Sequence, residues 1–380
     1  MARGFVKKRG KMWYAYWRDQ RGTQHAKSIG TRKHDAEAFV TRMQTQVDDG
    51  SYRDLIPTGF EDYATIWLRD YAAVQVKPST LSGYRSMLKS SLIPFFGNAP
   101  LTSITTADVQ RYIRERLDAG RSGATVHKAV VMLKGMLKQS VEWSYLRVNP
   151  AQVVKAPPRE HKEMSFLTPA EVPVFLDALP EEWRPLFFTL IFSGMRLGEL
   201  LALKWSDIDW DAGTIRISRS VWHGEFQEPK TRNAVRTVGM SDRLRWTLMD
   251  RMLAAPQSPH DLVFCTAEGG LLDQANLRHR VFEPALAAAG FRKIRIHDLR
   301  HTYASLLINN GENLKYAQQQ LGHASITTTV DRYGHLMPDA HVGAGQRLDA
   351  SVFGHGPEES AYKPLTSSEE QERPENPWGL

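Results

Sequence analysis

His297-Asp298-Leu299-Arg300-His301-Thr302-Tyr303-Ala304-Ser305 places a histidine and an arginine three residues apart at the head of a mostly apolar stretch. On a helix that spacing brings both side chains to one face. The run 302–307 behind them is apolar enough to be buried, so the pair is expected at the front of an inward-facing helix.

A second arginine lies upstream in Ser193-Gly194-Met195-Arg196-Leu197-Gly198, flanked by glycines that allow close backbone approach. Leu190, Ile191 and Phe192 precede it, and Leu200 and Leu201 follow. An arginine in so apolar a setting needs an anion or several acceptors. Either a structural ion pair with Glu199 or Asp207, or a bound phosphate, meets that need. Arginine's planar fork matches two phosphate oxygens, so Arg196, Arg300 and His297 around one anion would form a phosphoryl clamp. One well-placed donor to the oxygens that gain charge in the transition state is worth about 2.7–4 kcal/mol.

Downstream, Leu321-Gly322-His323-Ala324-Ser325 and Tyr333 complete the candidate chemistry. His323 could hydrogen-bond the same phosphate. Tyr333 is the candidate nucleophile. Free tyrosine has a pKa near 10, so about one phenol in a thousand is ionised at pH 7. A cationic cluster is expected to lower that pKa and to align the oxygen. Lys230, in Pro229-Lys230-Thr231-Arg232, lies on a loop entering a strand, and a lysine can protonate a departing 5′ hydroxyl. Each residue also has an ordinary reading: Tyr333 as core or surface, Lys230 as a solvated charge. Their combination is what points to phosphoryl transfer.

No His-Glu-x-x-His, zinc-type spacing or Gly-x-x-x-x-Gly-Lys-Ser/Thr loop occurs, so no metal or other cofactor is expected. Breaking a phosphodiester with neither metal nor ATP favours exchanging one ester for another.

These residues belong to a mixed, mainly helical segment, 165–345. Thr168-Pro169-Ala170-Glu171 reads as a capping box opening its first helix, and two strand-like runs, 214–221 and 235–238, flank a turn at His223-Gly224-Glu225. Pro150, Pro157 and Pro158 mark 150–164 as a linker. Residues 58–152 carry four amphipathic helical runs, an all-α bundle. Residues 1–55 alternate like a three-stranded antiparallel sheet followed by a helix capped by Thr31. The expected fold class is therefore multidomain: a small sheet-plus-helix domain, an all-α bundle and an α+β domain. Residues 350–380, rich in Glu, Pro and Ser, read as a disordered tail.

The 380 residues carry a formal charge of +7, which fits a polyanionic partner. Cations and aromatics interleave in the first segment, a suitable surface for a DNA groove, although the aromatics could simply pack on the helix. The candidate contacts there are Tyr16, Arg18, Arg21 and Lys27. In the bundle they are Lys77, Ser79 and Thr80 at a helix entrance suited to phosphate, with Arg85 and Lys128. Cys265, the single cysteine, reads as a buried strand position. No apolar run of membrane-spanning length and no secretory signal is present, so a cytoplasmic protein is expected.

The strings Ser193-Gly-Met-Arg-Leu-Gly-Glu-Leu200, Pro229-Lys-Thr-Arg-Asn-Ala-Val-Arg-Thr-Val238, His297-Asp-Leu-Arg-His-Thr-Tyr-Ala-Ser305 and Leu321-Gly-His-Ala-Ser-Ile-Thr-Thr-Thr-Val-Asp-Arg-Tyr333 resemble, in order and spacing, those of the tyrosine recombinases, the integrases of temperate phages and integrative elements. The resemblance is strong over 165–340. It implies a helical core-binding domain at 58–152 and an arm-binding domain at 1–55. It further implies that Arg196, Lys230, His297, Arg300 and His323 activate the scissile phosphate, with Lys230 as general acid. Tyr333 would then form a 3′-phosphotyrosyl intermediate. The implied partners are double-stranded attachment sites, a homotetramer that exchanges strands through a Holliday junction, and host DNA-bending or excision-directing factors. Residues 342–353 are expected to pack on a neighbouring protomer. Met195, Gly239 and Met240 depart from the usual pattern without touching a catalytic position. A relaxing topoisomerase and a non-catalytic DNA-binding regulator are the rivals; the arm-like segment argues against the first and the intact six-residue set against the second.

Overall fold

The computed structural model describes residues 4–50, 52, 55–158, 164–228, 235–334 and 351–352. Lys230 lies outside the described residues, as do most of 342–353 and of the tail from 350. The chain forms two compact units, Met1–Lys162 and Glu163–Leu380.

The first unit opens with the expected meander: β1 (Gly4–Arg9), β2 (Met12–Arg18) and β3 (Gln24–Gly30), antiparallel in the order β1-β2-β3. Helix α1 (Lys33–Asp48) covers one face. Its N-cap is Arg32, not Thr31, and no side chain caps it. Strand alternation sends Ala15 and Trp17 toward α1, where Ala36, Val40 and Met43 are buried and Trp17 meets Phe39 edge-on at 5.6 Å. A Cβ on Gly4 would lie 2.7 Å from Val40 Cγ1, so glycine allows the helix its close approach.

The remainder of this unit is the expected bundle. Helix α2 (Phe60–Trp67) passes through a wide π-turn, Leu68–Ala72, into α3 (Ala73–Gln75). Helix α4 (Pro78–Met87) passes through Leu88–Leu92 into α5 (Ile93–Phe96). Then follow α6 (Thr106–Asp118) and the twenty-residue α7 (Gly123–Glu142). A reciprocal cap starts α6: Asp108 N–H donates to Thr105 Oγ1, and Thr105 N–H to the Asp108 carboxylate. Phe60, Tyr63, Trp67, Tyr112, Leu133 and Met136 fill the core.

The linker begins later than its prolines suggest. Ala151 and Val154 are buried in the bundle core, and the Pro157 carbonyl lies 2.8 Å from His127 Nδ1. Proline stops a helix but does not stop a chain from packing.

In the second unit, Thr168 and Glu171 exchange the predicted capping bonds ahead of α8 (Glu171–Asp177). Helix α9 (Arg184–Ser193) is apolar on nearly every side and lies in the core; the short α10 (Leu197–Leu200) follows. The run 214–221 divides into β5 (Thr214–Ile217) and β6 (Ser220–Trp222), the run 235–238 becomes β8 (Arg236–Gly239), and two strands lie outside both runs, β4 (Ile208–Asp209) and β7 (Glu225–Gln227). The sheet order is β4-β5-β8, while β6 and β7 form a separate hairpin. His223 and Gly224 both have positive φ at its turn, the backbone a two-residue hairpin of this twist requires. Helix α11 (Asp242–Ala254) follows. Then α12 (Gln274–Leu277) runs through Arg278–Phe282 into α13 (Glu283–Ala288), and α14 (Asp298–Asn309), α15 (Leu314–Leu321) and α16 (Ile326–Tyr333) complete the described helices. Among the described residues no helix is long and apolar enough to cross a membrane.

Candidate active site

Arg196 is presented by a sharp reversal after α9. Gly194 closes that helix with φ +61°, and a Cβ there would collide with the Tyr303 ring, so both conformation and space demand glycine. Met195 then turns inward, and Arg196 becomes the N-cap of α10 with its side chain partly exposed. Its backbone N–H donates to Glu199 Oε2 (2.9 Å) and its guanidinium to Oε1 (2.6 Å). The structural ion pair is thus real, and Glu199 is its partner; Asp207 pairs with Arg219 instead.

Glu199 serves a second arginine. Arg236, on β8, is buried and points its fork at the same carboxylate (3.2 and 2.8 Å) while its Nε donates to the Gln320 carbonyl at 2.7 Å. Burial opposes ionisation of Glu199, but the hydrogen bonds and charge of Arg236, joined by Arg196, bring its carboxyl down to about 2. One carboxylate therefore orients two arginines.

Arg300, 3% exposed, has no such carboxylate contact among the described residues. It donates to two backbone carbonyls, Gly194 O (2.7 Å) and Leu321 O. These sit at the C-terminal ends of α9 and α15, where helix dipoles place partial negative charge. Burial, Arg196 and Arg236 press its pKa down to about 9, which leaves it cationic at neutral pH. A desolvated cation held only by neutral carbonyls is ready to accept an anion.

The histidines surround this cation. His297, the N-cap of α14, keeps an edge open to solvent, while the protein packed around the rest of the ring, with Arg300 and Arg196, lowers its pKa. His323 follows the left-handed Gly322 and lies 2.9 Å from Thr329 Oγ1; burial and Arg300 take it down to about 3. Tyr333, at the end of α16, is fully buried. Its ring is parallel to that of His323 at 6.4 Å, and its hydroxyl lies 2.5 Å from Nδ1 of His301.

Tyr333 corrects one expectation. Its phenol is pushed up to about 12, not down, because burial outweighs the attraction of Arg300 and Arg332 for phenolate. The fold gathers Arg196, His297, Arg300, His323 and Tyr333 into one electrostatic neighbourhood, with Arg196 and His297 at its mouth and Arg300 and Tyr333 at its floor.

The sequence offers Glu199 as a partner for Arg196 but gives no sign that it also serves Arg236, and neither Arg236 nor His301 stands out as a site residue. Glu199 stands three residues after Arg196, the spacing of a capping glutamate. Arg236 shares a strand face with the buried Val238, an inward arginine that calls for a partner. His301 lies one turn below His297 on the same helix.

The DNA-contact candidates fare unevenly. Tyr16 is 6% exposed, roofed by Phe5 stacked at 4.7 Å and by Arg9 at 5.8 Å, so an outward contact at this place falls to those two residues. Arg18 is exposed and donates to the Gly22 carbonyl, and Arg21 is exposed in the same turn. Lys27 lies over the Phe39 ring at 5.3 Å, on the α1 side of the sheet and opposite Tyr16. Lys77 is the N-cap of α4 with Pro78 behind it; Ser79 and Thr80 are half-buried in the first turn, and neither caps the helix. Arg85 on α4 and Lys128 on α7 are exposed.

Residues 165–339 match the phage integrase family and residues 59–116 its N-terminal SAM-like domain, together more than half of the chain. ICEBs1 integrase of Bacillus subtilis is 25% identical over 84% of this chain and 91% of its own length. A XerC-like tyrosine recombinase of Caldanaerobacter subterraneus is 28% identical over 90% and 97%. Among solved structures, the Tn1549 transposon integrase with a circular intermediate DNA aligns with a TM-score of 0.66 at 20% identity, covering 77% of this chain and 99% of that one. A lambda integrase tetramer on a Holliday junction aligns at 0.59 and 20% identity, covering 86% and 97%. The chain belongs to the phage integrase family of tyrosine recombinases.

Two outcomes follow from the electrostatics. Glu199→Gln removes the charge that two arginines share and leaves Arg236 buried beside a neutral amide; chemical denaturation should show a loss of about 3–5 kcal/mol, the usual cost of breaking a buried pair. A histidine whose folded pKa lies below its unfolded value binds its proton more readily once unfolded. Stability from His301 and His323 is thus complete above the unfolded value near 6.5 and is lost as the pH falls below it toward 4 and 3. Thermal unfolding midpoints should fall between pH 7 and pH 5, with a shallower fall for His323→Asn.

Proposed function

We propose that this chain is a site-specific DNA recombinase that integrates or excises a phage or mobile element, cleaving and rejoining strands through a 3′-phosphotyrosyl bond at Tyr333. The observation that carries the assignment of the site is Arg300: a buried cation held by two helix-end carbonyls, beside Arg196, His297, His323 and a buried tyrosine. In this reading the scissile phosphate enters at Arg196 and His297, and its nonbridging oxygens take the hydrogen bonds and charge of Arg196 and Arg300. Because Glu199 already fixes Arg196, that side chain meets the phosphate with little orientation left to lose. Tyr333 attacks phosphorus, its Oη–P bond forms and the bond to the 5′ oxygen breaks. Lys230, assigned by family resemblance, protonates the departing 5′ oxygen. The new ester conserves the bond for religation, so the reaction needs neither ATP nor a resident metal.

What covers the buried Tyr333 has to shift before a diester can meet it. Assembly as a tetramer on paired sites is the proposed setting for that movement, in keeping with the lambda integrase tetramer; residues 342–353 would contact the neighbouring protomer. The sheet of 1–55 is proposed to bind arm sites and the helices of 58–152 the core site, so that one chain gains affinity by holding both at once. Host DNA-bending or excision-directing factors would set direction, and the host cytoplasm, where the DNA lies, is the proposed compartment.

A nicked suicide duplex carrying the repeated sequence that flanks the element encoding the chain tests the chemistry. Wild type should trap a covalent complex on denaturing gels, and Tyr333→Phe should trap none; equal behaviour of the two would remove the nucleophile assignment. Arg196→Ala should keep site binding in gel shifts while cleavage falls roughly 100–1,000-fold. Deleting residues 1–55 should leave core cleavage intact, weaken integration, and reduce the salt dependence of binding to the full attachment site.

A further inference from the structure

The hydroxyl of Tyr333 has one hydrogen-bond partner among the described residues, and it is none of the side chains that surround the phosphate in the reading above. It is Nδ1 of His301, at 2.5 Å. Nε2 of the same imidazole lies 4.0 Å from Oδ1 of Asp298, one turn earlier on α14. Asp298 is itself fixed: its carboxylate accepts from the Arg295 backbone N–H and guanidinium, each at 2.7 Å. All three side chains are buried. A carboxylate on the Nε2 side favours the tautomer that carries hydrogen there and leaves the Nδ1 lone pair for the phenol proton. Carboxylate, imidazole and hydroxyl thus stand in the order by which enzymes activate an oxygen nucleophile.

Resting on the recombinase assignment, we propose that His301 accepts the phenolic proton of Tyr333 as that residue attacks the phosphate, with Asp298 as the residue that positions the imidazole. The balance is simple. As Oη–P forms, the proton passes from Oη to Nδ1 of His301; as the P–O5′ bond breaks, the departing oxygen takes its proton from a separate acid. On religation His301 returns its proton to the phenol.

The neighbourhood explains why the pair stays silent until a diester arrives. The groups facing His301 are Asp298 and His297 from the head of its own helix, Arg295 just before it, and Tyr333 and Arg332 from α16, with His323 nearby. Burial, His297 and the arginines hold the imidazole down near 4, while burial holds the phenol up near 12, so at rest the proton stays on oxygen. A diester anion entering beside Arg196 and Arg300 adds negative charge near His297 and the imidazole, against the pull of Arg295 and Arg332, and makes the imidazole a better acceptor. Nucleophile activation is thereby tied to occupancy of the phosphate site.

The test uses the full-length enzyme and the nicked duplex described above. His301→Gln keeps a hydrogen-bond acceptor but cannot take the proton; single-turnover cleavage at pH 7 should fall about a hundredfold or more, with site binding unchanged. Replacing Tyr333 by trifluorotyrosine, whose phenol ionises far more readily, should recover most of that loss in the His301→Gln background. A substrate with sulfur at the bridging 5′ position, which relieves the need for an acid, should not. A His301→Gln rate within about threefold of wild type, or a deficit that trifluorotyrosine leaves untouched, overturns the proton-accepting role. Recovery by the sulfur substrate also overturns it, by moving His301 to the leaving-group side. Failure of the wild type to trap DNA would instead remove the recombinase reading itself.

Discussion

Two arginines, 236 and 300, lie buried in the second unit, and only one carboxylate, Glu199, contacts either of them among the described residues. Burying an unpaired cation is costly, so the surrounding fold is arranged to tolerate the excess. Glu199 stays ionised far below the ordinary glutamate range and answers Arg236 directly. Arg300 receives only carbonyl oxygens, from the ends of α9 and α15. Gly194, the end of α15, β8 and the head of α14 meet at those two guanidinium groups. The residual positive field depresses His297, His301 and His323 together. It also makes an incoming phosphate the natural completion of the site.

The first unit follows a different logic. Its sheet and its bundle each bury their own apolar side chains, Ala15 and Trp17 with Val40 and Met43 in one, Tyr63 and Tyr112 with Leu133 and Met136 in the other. Among the described residues neither carries a buried charge cluster of the kind found around Glu199. Their cations are mainly at the surface, some over aromatic rings, as with Arg9 over Tyr14 and Lys33 over Trp13. Such a surface suits contacts to a phosphate backbone, whose strength is long-range and salt-dependent rather than geometrically exacting.

Much of this was legible in the chain because it is local. Strand alternation gave the meander, helical spacing the bundle, and capping residues the starts of α6 and α8. The catalytic candidates were legible because four short strings hold fixed residues at fixed spacings. What escaped the sequence is tertiary. Nothing in the order of residues says that Phe5 covers Tyr16 or that Lys27 leans toward Phe39; those depend on which strand face meets α1. The turn at His223 and Gly224 was legible, but the break between β5 and β6 inside the run 214–221 and the return strand β7 after the turn were not. The sign of the Tyr333 shift was misjudged because the cations were visible in the sequence and the depth of burial was not. His301 was overlooked for a related reason: its partner lies thirty-two residues away, and only folding brings the two rings together.

The bond from Arg300 to the Leu321 carbonyl links two parts of the machinery that chemistry would treat as separate. Leu321 ends the helix that leads through Gly322 to His323 and on to the segment bearing Tyr333. Any travel of that helix end away from α14 must withdraw a carbonyl from the guanidinium, leaving a donor that seeks another oxygen. The helix end that leads toward the nucleophile's segment thus also supplies an oxygen that an incoming phosphate would replace at Arg300. Through that one bond the setting of the helix end and the hydrogen bonding of the guanidinium bear on each other.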